Sequence, residues 1–188
     1  DMLNDCSGKI ALVTGAGTGI GRACSMSLAE AGATVIASDI DADTAADTAA
    51  IICKKGGKAR GLGQDVIDEG LWQEVIAGIA DKEGGLNVLV NNAGIAIGVA
   101  VIEMSLADWQ RQNAVNLDGV FLGTKHAIPL MTQSGGGSII NISSVAGLVG
   151  AGGLAGYCAT KGGVRLFTKA VAIECAAGDT NIRVNSVH

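Results

Sequence analysis

Short apolar, β-branched runs alternate with longer amphipathic stretches from one end of this chain to the other. The apolar continuity of the runs is typical of strands in a sheet that is covered on both faces, and the stretches between them have the apolar spacing of helices. A repeated strand–helix–strand unit gives right-handed crossovers, so the sequence predicts an α/β fold with a doubly wound parallel sheet of strand order 3-2-1-4-5-6. The predicted strands are Lys9–Thr14, Thr34–Ser38, Lys58–Gln64, Val88–Asn91, Ser138–Ile142 and Ile182–Val187, and the predicted helices are about Gly19–Ala31, Ala42–Lys55, Glu69–Lys82, Leu106–Thr132 and Tyr157–Ala177.

Length and composition favour one compact domain that acts on a small molecule. The chain has 188 residues, and a typical domain has about 100 to 200. Its 48% hydrophobic residues, 29 glycines and only 16% charged residues indicate close packing rather than disorder. A net charge of -5 offers no basic surface for a phosphate backbone, so we expect no nucleic-acid partner.

Several other classes of protein are disfavoured by simple patterns. The five cysteines lack C-x-x-C spacing and are typical of reduced residues, so we expect a cytoplasmic protein. No ligand-like cluster surrounds His126 or His188, the two histidines, and we expect no metal site. Asp1–Cys6 lacks the basic and apolar regions of a secretory signal. The most apolar long window, Val145–Ala159, is short for a bilayer crossing and rich in glycine, so we expect no membrane segment.

A glycine-rich segment follows the first predicted strand and opens the first predicted helix. It reads TGAGTGIG over Thr14–Gly21. Backbone N–H groups and a positive helix terminus at such a turn can hold a pyrophosphate without side-chain cations. The glycines fit G-x-x-x-G-x-G rather than G-x-G-x-x-G, and the G-K-[ST] ending of a Walker loop is missing. The pattern indicates either a dinucleotide site or a plain turn that packs a helix closely.

Asp39 closes the second predicted strand, where a carboxylate can accept hydrogen bonds from the hydroxyls of an adenosine ribose. The same charge would repel a 2′-phosphate, and neither Thr18 nor Ile40 supplies a compensating cation. We therefore predict NAD rather than NADP. The alternative for Asp39 is a cap for the helix that starts near Ala42, a role that Asp41 could fill as easily.

The third and fourth predicted strands also end at the edge of the sheet where ligands bind in such folds. Asp65-Val66 could meet an adenine, although an Asp in this position is as often a helix cap. The sequence NNAG at Asn91–Gly94 has a small backbone that a cofactor could approach, and its Asn side chains could tie neighbouring strands together. Their amides need partners, because a buried amide without a hydrogen bond is costly.

The only tyrosine, Tyr157, stands four residues before Lys161 on the last predicted helix. Positions i and i+4 share a helix face, so the Lys161 ammonium would lie beside the Tyr157 phenol. A free phenol has a pKa of about 10 and is a poor base at neutral pH. A neighbouring cation lowers this pKa, which makes Tyr157 a candidate general base toward a hydroxyl and general acid toward a ketone. A Tyr and an unrelated Lys remain the better interpretation of the pair by itself, and the rest of the chain reverses that preference.

These segments together resemble the short-chain dehydrogenase/reductase family. The resemblance rests on T-G-x-x-x-G-x-G at Thr14–Gly21, N-N-A-G at Asn91–Gly94, Ser144, and Y-x-x-x-K at Tyr157–Lys161, in the family's order along essentially the whole chain. It implies a Rossmann-type fold and hydride transfer between NAD(H) and a secondary alcohol or ketone, the small-molecule substrate.

The resemblance also implies a role for each site residue. Tyr157 would be the catalytic acid/base, Lys161 would lower its pKa and hold the nicotinamide ribose, and Ser144 would orient the substrate oxygen. Asn116 would shape its helix so that a water can link Lys161 to solvent; the alternative for it is a polar helix residue satisfied locally. The expected cofactor contacts are Gly15, Gly17, Thr18, Gly19, Ile20, Gly21, Asp39, Asp65, Val66, Asn92, Ala93, Gly94, Tyr157 and Lys161.

Members of this family normally continue beyond a strand such as Arg183–Val187 into a Pro-Gly turn, a substrate loop and a further strand, whereas this chain stops at His188. By this resemblance, the portion that is not included would form much of the substrate lid. Self-association into a tetramer or dimer is expected by resemblance. Two alternatives stay open, an NADPH-dependent 3-oxoacyl-thioester reductase and a nucleotide-sensing protein without catalysis. Proteins of the latter kind commonly lose the tyrosine or the lysine, and this chain keeps both.

Overall fold

The computed structural model describes residues 5–188. Residues 1–4, which belong to the start where the sequence indicates no secretory signal, lie outside the described residues. The described strands form a six-stranded parallel sheet of order β3-β2-β1-β4-β5-β6, as predicted. The strands are β1 (Ile10–Thr14), β2 (Thr34–Asp39), β3 (Lys58–Gly63), β4 (Val88–Asn91), β5 (Gly137–Ile142) and β6 (Ile182–Val187). The helices are α1 (Gly19–Glu30), α2 (Ala42–Lys54), α3 (Glu69–Glu83), α4 (Leu106–Asn113), α5 (Gly119–Gln133) and α6 (Ala155–Ala177).

The sheet is buried on both faces in its centre because successive strand residues point to opposite sides. Leu12 and Ile36 belong to the core that packs against α3, α5 and α6. Val13 and Val35 belong to the core beneath α1 and α2. All four side chains are fully buried, so the strands are held rigidly and their carboxyl ends form a fixed edge.

The long helix predicted over Leu106–Thr132 is interrupted, which the sequence did not reveal. A π-helical turn, Ala114–Asp118, stands between α4 and α5. The Oγ of Ser105 accepts a hydrogen bond from the Asp108 N–H at 3.0 Å and donates to the Asp108 carboxylate at 2.8 Å, so Ser105 caps the start of α4. Pro129 does not end α5, which continues to Gln133. π-Helical turns inside longer helices frequently accompany functional sites.

Asparagine amides tie the central strands together at their carboxyl ends, as predicted from the sequence NNAG at Asn91–Gly94. The Nδ2 of Asn91 donates to Asn141 Oδ1 at 2.9 Å, linking β4 to β5. The Nδ2 of Asn92 donates to the Thr14 carbonyl at 2.9 Å, linking β4 to β1. The buried Oδ1 of Asn91 has no hydrogen-bond partner among residues 5–188. No helix in this described range is long and apolar enough to cross a membrane.

Candidate active site

An open cleft of about 1230 Å³ runs along the carboxyl ends of the strands. Most residues that the sequence singled out line this cleft, although they come from widely separated segments. Gly17, Gly21 and Asn116 are not part of its wall and lie behind it. The predicted residues that line it are Gly15, Thr18, Gly19, Ile20, Asp39, Asp65, Val66, Asn92, Ala93, Gly94, Ser144, Tyr157 and Lys161.

The glycine-rich segment between β1 and α1 packs closely against the protein at Gly15 and Gly21, whereas Gly19 is exposed. Gly15 has a φ of +60°, and a Cβ there would lie 2.9 Å from the Ala93 Cα. A Cβ on Gly21 would overlap the Gly15 carbonyl oxygen. Gly19 also has a positive φ, of +51°, yet beyond its chain neighbours and its own helix no heavy atom of residues 5–188 lies within 4 Å of its Cβ position. The exposed backbone around Gly19 at the start of α1 therefore fits a pyrophosphate.

Asp39 anchors this loop as well as lining the cleft. Its Oδ2 accepts a hydrogen bond from the Gly17 N–H at 2.8 Å, and its Oδ1 accepts one from the Asp41 N–H at 3.1 Å. Asp41 is the cap of α2, since its Oδ1 accepts from the N–H groups of Asp43 and Thr44. The cap role that the sequence left open between the two aspartates thus belongs to Asp41.

After β3, the structure also shows which aspartate caps the following helix. Asp68 caps α3 by accepting the Leu71 N–H at 3.1 Å, whereas Asp65 accepts the Ile67 N–H at 3.2 Å within the preceding turn. Asp65 is therefore not the helix cap. Val66 is only 7% exposed and packs against Gly119, where an added Cβ would lie 2.9 Å from it.

Tyr157 and Lys161 lie on one face of α6, as their spacing predicts. The Lys161 Nζ is 5.7 Å from the centroid of the Tyr157 ring and donates to the Ile142 carbonyl at 2.7 Å. Lys161 is 3% exposed, and this burial lowers its pKa to about 8, so the ammonium stays charged at neutral pH. An ammonium has three hydrogens, and the Ile142 carbonyl takes one of them.

Ser144 follows β5 and caps a short 3₁₀ turn, Val145–Gly147. Its Oγ accepts a hydrogen bond from the Ala146 N–H at 3.1 Å. A hydroxyl oxygen that accepts one bond still has its own hydrogen to donate, and Ser144 lines the cleft. His188, which the sequence did not single out as a site residue, also lines the cleft, and its Nδ1 lies 3.2 Å from the Ser144 carbonyl.

Asn116 is fully buried in the π-helical turn and joins three segments. Its Oδ1 accepts from the Ile95 N–H at 2.8 Å, while its Nδ2 donates to the Ile95 carbonyl at 2.8 Å and to Thr160 Oγ1 at 3.1 Å. The Cβ position of Gly94 lies 3.3 Å from Asn116 Oδ1 and 3.5 Å from Lys161 Nζ. Asn116 therefore fixes the segment after β4 against α6, close to the lysine.

Sequence reasoning missed the part of the wall that α4 and the following π-helical turn contribute. The missed residues recur at helical spacing, a signal that could have pointed to one face of α4 but not to the direction of that face. Among residues 5–188, no three His, Cys, Asp or Glu side chains come together as a metal site would require. The missed residues of this part of the wall are Gln110 and Arg111 of α4 and Ala114 and Val115 of the π-helical turn.

Comparison with known proteins agrees with the family resemblance seen in the sequence. Residues 9–188 match the family described as short chain dehydrogenase. The chain is 42% identical to the 2,5-dichloro-2,5-cyclohexadiene-1,4-diol dehydrogenase of Sphingobium indicum, covering 99% of this chain and 74% of that protein. It is 44% identical to the cyclopentanol dehydrogenase of Comamonas sp., covering 96% and 71%. It is 40% identical to the NADP-dependent (R)-specific alcohol dehydrogenase of Lentilactobacillus kefiri, covering 100% and 74%.

The solved structures agree. The crystal structure of a putative short-chain alcohol dehydrogenase from Sinorhizobium meliloti superimposes with a TM-score of 0.93 at 39% identity, covering 98% of this chain and 72% of that one. The sheet order and the match over residues 9–188 both point to the same family. The chain belongs to the short-chain dehydrogenase/reductase family, whose members are NAD(P)-dependent oxidoreductases acting on CH–OH groups.

Proposed function

We propose that this protein is an NAD-dependent dehydrogenase of secondary alcohols and the matching ketones. The observation that carries the proposal is the position of Tyr157 and Lys161, on one face of α6, in the wall of the same cleft as Asp39 and the glycine-rich loop. A base beside a buried cation and a dinucleotide cradle together suit alcohol oxidation.

The residues of the cleft would hold the cofactor along its length. The bare backbone around Gly19 would take the pyrophosphate, and the Asp39 carboxylate would accept hydrogen bonds from the adenosine ribose. Asp65 and Val66 line the region next to Asp39 and would contact the adenine. The remaining N–H groups of Lys161 would meet the other ribose. When bound, the nicotinamide would exchange a hydride with the substrate carbon.

Tyr157 would move the proton that accompanies this step. Its phenolate oxygen would take the proton of an alcohol, and in the reverse direction its hydroxyl would donate to a ketone oxygen. The buried Lys161 ammonium, 5.7 Å from the centroid of the Tyr157 ring, would favour negative charge on the phenol oxygen during this transfer. Ser144 would donate its hydroxyl hydrogen to the substrate oxygen, and Asn116 would keep Lys161 and the segment after β4 in place.

The preference for NAD over NADP is supported by charge. Asp39 lines the cleft, and the adjacent Ile40 and Thr18 give no cation that could neutralise a 2′-phosphate. The Lentilactobacillus relative is NADP-dependent by name, so the family as a whole does not decide this point. A titration that finds tighter binding of NADPH than of NADH would contradict the preference and favour the 3-oxoacyl-thioester reductase alternative.

The substrate class is supported by the walls beside Ser144. Ile95, Ala96 and Val145 line the same cleft as Ser144 with apolar side chains, which suits an uncharged ring rather than a charged chain. Two of the relatives act, by name, on cyclic alcohols. We therefore propose a cyclic secondary alcohol as substrate.

The remaining proposals concern the whole protein. We infer a homo-oligomer, a tetramer or dimer. The inference is supported by large exposed apolar side chains on the outer helices, which are Leu106, Trp109, Phe121, Leu166 and Ile173. A monomer mass in light scattering would contradict it. A cytoplasmic location is supported by the free cysteines, and we treat residues 1–188 as a single dinucleotide-binding and catalytic domain.

The decisive experiment is an absorbance screen at the nicotinamide band, with NAD and NADP, NADH and NADPH, against cyclic and open-chain secondary alcohols and ketones. It should use the full-length protein. Turnover of a cyclic alcohol with NAD supports the proposal. Binding of NADH with no turnover of any alcohol or ketone would favour the nucleotide-sensing alternative instead.

A further inference from the structure

Arg22, which none of the roles above uses, stands in the fourth position of α1 and reaches across to α2. Its Nε donates a hydrogen bond to the Oγ1 of Thr48 at 2.9 Å. Thr48 is fully buried, and its Oγ1 donates in turn to the Ala16 carbonyl in the glycine-rich loop at 2.8 Å. The two side chains therefore connect α1, α2 and the loop between β1 and α1.

The direction of this relay follows from the number of hydrogens available. A threonine hydroxyl has one hydrogen. Since Arg22 donates into the Thr48 oxygen, that single hydrogen has to go to a carbonyl, and the Ala16 carbonyl at 2.8 Å is nearer than those of Thr44 at 3.2 Å and Gly17 at 3.5 Å. Arg22 thus makes the hydroxyl a dedicated donor to the loop.

The inner half of the loop is fixed by these bonds while its outer half stays free for a ligand. The Ala16 N–H donates to the Ser38 carbonyl at 2.9 Å, and the Gly17 N–H donates to Asp39. Thr18–Ile20, the next three residues, are exposed. The orientation of their N–H groups therefore depends on how firmly Ala16 and Gly17 are held.

The charge of Arg22 points to a ligand rather than to helix stability alone. A cation in the first turn of a helix opposes the positive end of the helix dipole and is unfavourable there by itself. No acidic residue occupies the first turn of α1, and Arg22 forms no salt bridge within residues 5–188. A doubly charged pyrophosphate at the same helix terminus would reverse the sign of this interaction.

We propose that Arg22, acting through Thr48, is a positioning residue for the pyrophosphate of the dinucleotide. It does not line the cleft, so it acts by orienting the loop and by adding positive potential behind it. The inference rests on the proposed function in one respect, that the loop holds a dinucleotide. If Arg22 only tied α1 to α2, its positive charge would not be needed. Its loss would then weaken the binding of ligands with and without phosphates equally.

The test compares ligands with and without the phosphates. Binding of NADH is measured by its fluorescence, and binding of ADP and adenosine by calorimetry, for the wild type, Arg22→Met and Thr48→Val. We expect both variants to bind ADP and NADH about tenfold more weakly, as the loss of one charge-assisted hydrogen bond implies, and adenosine with less than about twofold change. Thr48→Ser keeps the hydroxyl and should bind all three ligands like the wild type.

A double variant separates one relay from two independent effects. If Arg22 acts through Thr48, Arg22→Met combined with Thr48→Val should weaken ADP binding less than the product of the single effects. Equal weakening of ADP and adenosine, or unchanged binding of ADP in Arg22→Met, would overturn the inference. A wild type that binds neither NADH nor ADP would instead refute the proposed function. Should Arg22→Met not fold, Arg22→Lys keeps the charge and tests the Nε hydrogen bond in the same assay.

Discussion

The backbone N–H of Gly17 donates to the carboxylate of Asp39 at 2.8 Å, so the residue proposed to select NAD also holds the glycine-rich loop. The two tasks use the same side chain but different properties of it. Repulsion of a 2′-phosphate requires the negative charge, whereas the loop contact requires only an oxygen acceptor. Substitutions that remove one property without the other should separate them.

We expect Asp39→Ala to raise the acceptance of NADP relative to NAD and to weaken both, because the buried Gly17 N–H loses its acceptor. Loss of that hydrogen bond should cost about tenfold in affinity for either cofactor. Asp39→Asn keeps an acceptor and should change the ratio with a smaller loss of affinity. Fluorescence titration with NADH and NADPH measures both quantities, and an unchanged ratio in both variants would leave Asp39 as a loop anchor alone.

We expect Tyr157→Phe to abolish turnover and leave NADH binding almost unchanged, since the phenol oxygen is the proposed proton carrier while the ring and Lys161 stay in place. General acid–base groups typically contribute about 10² to 10⁴ in rate. Initial rates and a parallel NADH titration check the two halves of the expectation. Wild-type activity in the variant would remove the acid/base role from Tyr157.

The sequence predicted the sheet correctly because the central strands β1, β2 and β4 are largely apolar runs, and the observed ends of all six strands differ from the predicted ones by a residue at most. It also predicted that Tyr157 and Lys161 share a helix face. The π-helical turn at Ala114–Asp118 was missed, since apolar residues continue through it and hide the extra residue per turn. The Arg22–Thr48 contact joins residues far apart in the chain, and no local spacing signals it.

Two helical glycines, Gly78 in the interior of α3 and Gly21 in the first turn of α1, should respond to alanine in opposite ways. Alanine normally stabilises a helix over glycine by about 0.5 to 1 kcal/mol. Outside the backbone of α3 itself, no heavy atom in the described part of the chain lies within 4 Å of the Gly78 Cβ position, so Gly78→Ala should stabilise by that amount. Gly21→Ala in α1 would drive its Cβ into the Gly15 carbonyl, which cannot move away freely, and should destabilise by about 1 to 3 kcal/mol.

Urea denaturation of both variants beside the wild type measures these free energies of unfolding. Gly78→Ala serves as the control for helix propensity, since the chemical change is the same and only the space differs. Equal stability changes in the two variants would mean that the close approach of Gly21 to the loop does not matter for folding.

Burial of Lys161 should make the stability of the protein depend on pH in a defined direction. Its pKa is about 8 in the folded chain against 10.5 for the exposed group, because desolvation disfavours the ammonium. Between these two values the unfolded chain binds a proton that the folded chain does not, so the free energy of unfolding rises with pH there. Below about pH 8 both states are protonated, and the full cost of burying the charge is present.

Lys161→Met removes this cost, so the variant should be more stable than the wild type near neutrality and inactive as a dehydrogenase. We expect its advantage to shrink by on the order of 3 kcal/mol as the pH rises from 7 to beyond 10. Urea denaturation at several pH values gives the difference, in which groups common to both proteins cancel. Lys169→Met, at an exposed lysine of the same helix, is the matched control and should give a flat difference. If the difference in free energy of unfolding between Lys161→Met and the wild type were equally independent of pH, the ammonium would be solvated in the folded protein. Tyr157 would then lack the desolvated, charged neighbour that the proposed mechanism requires.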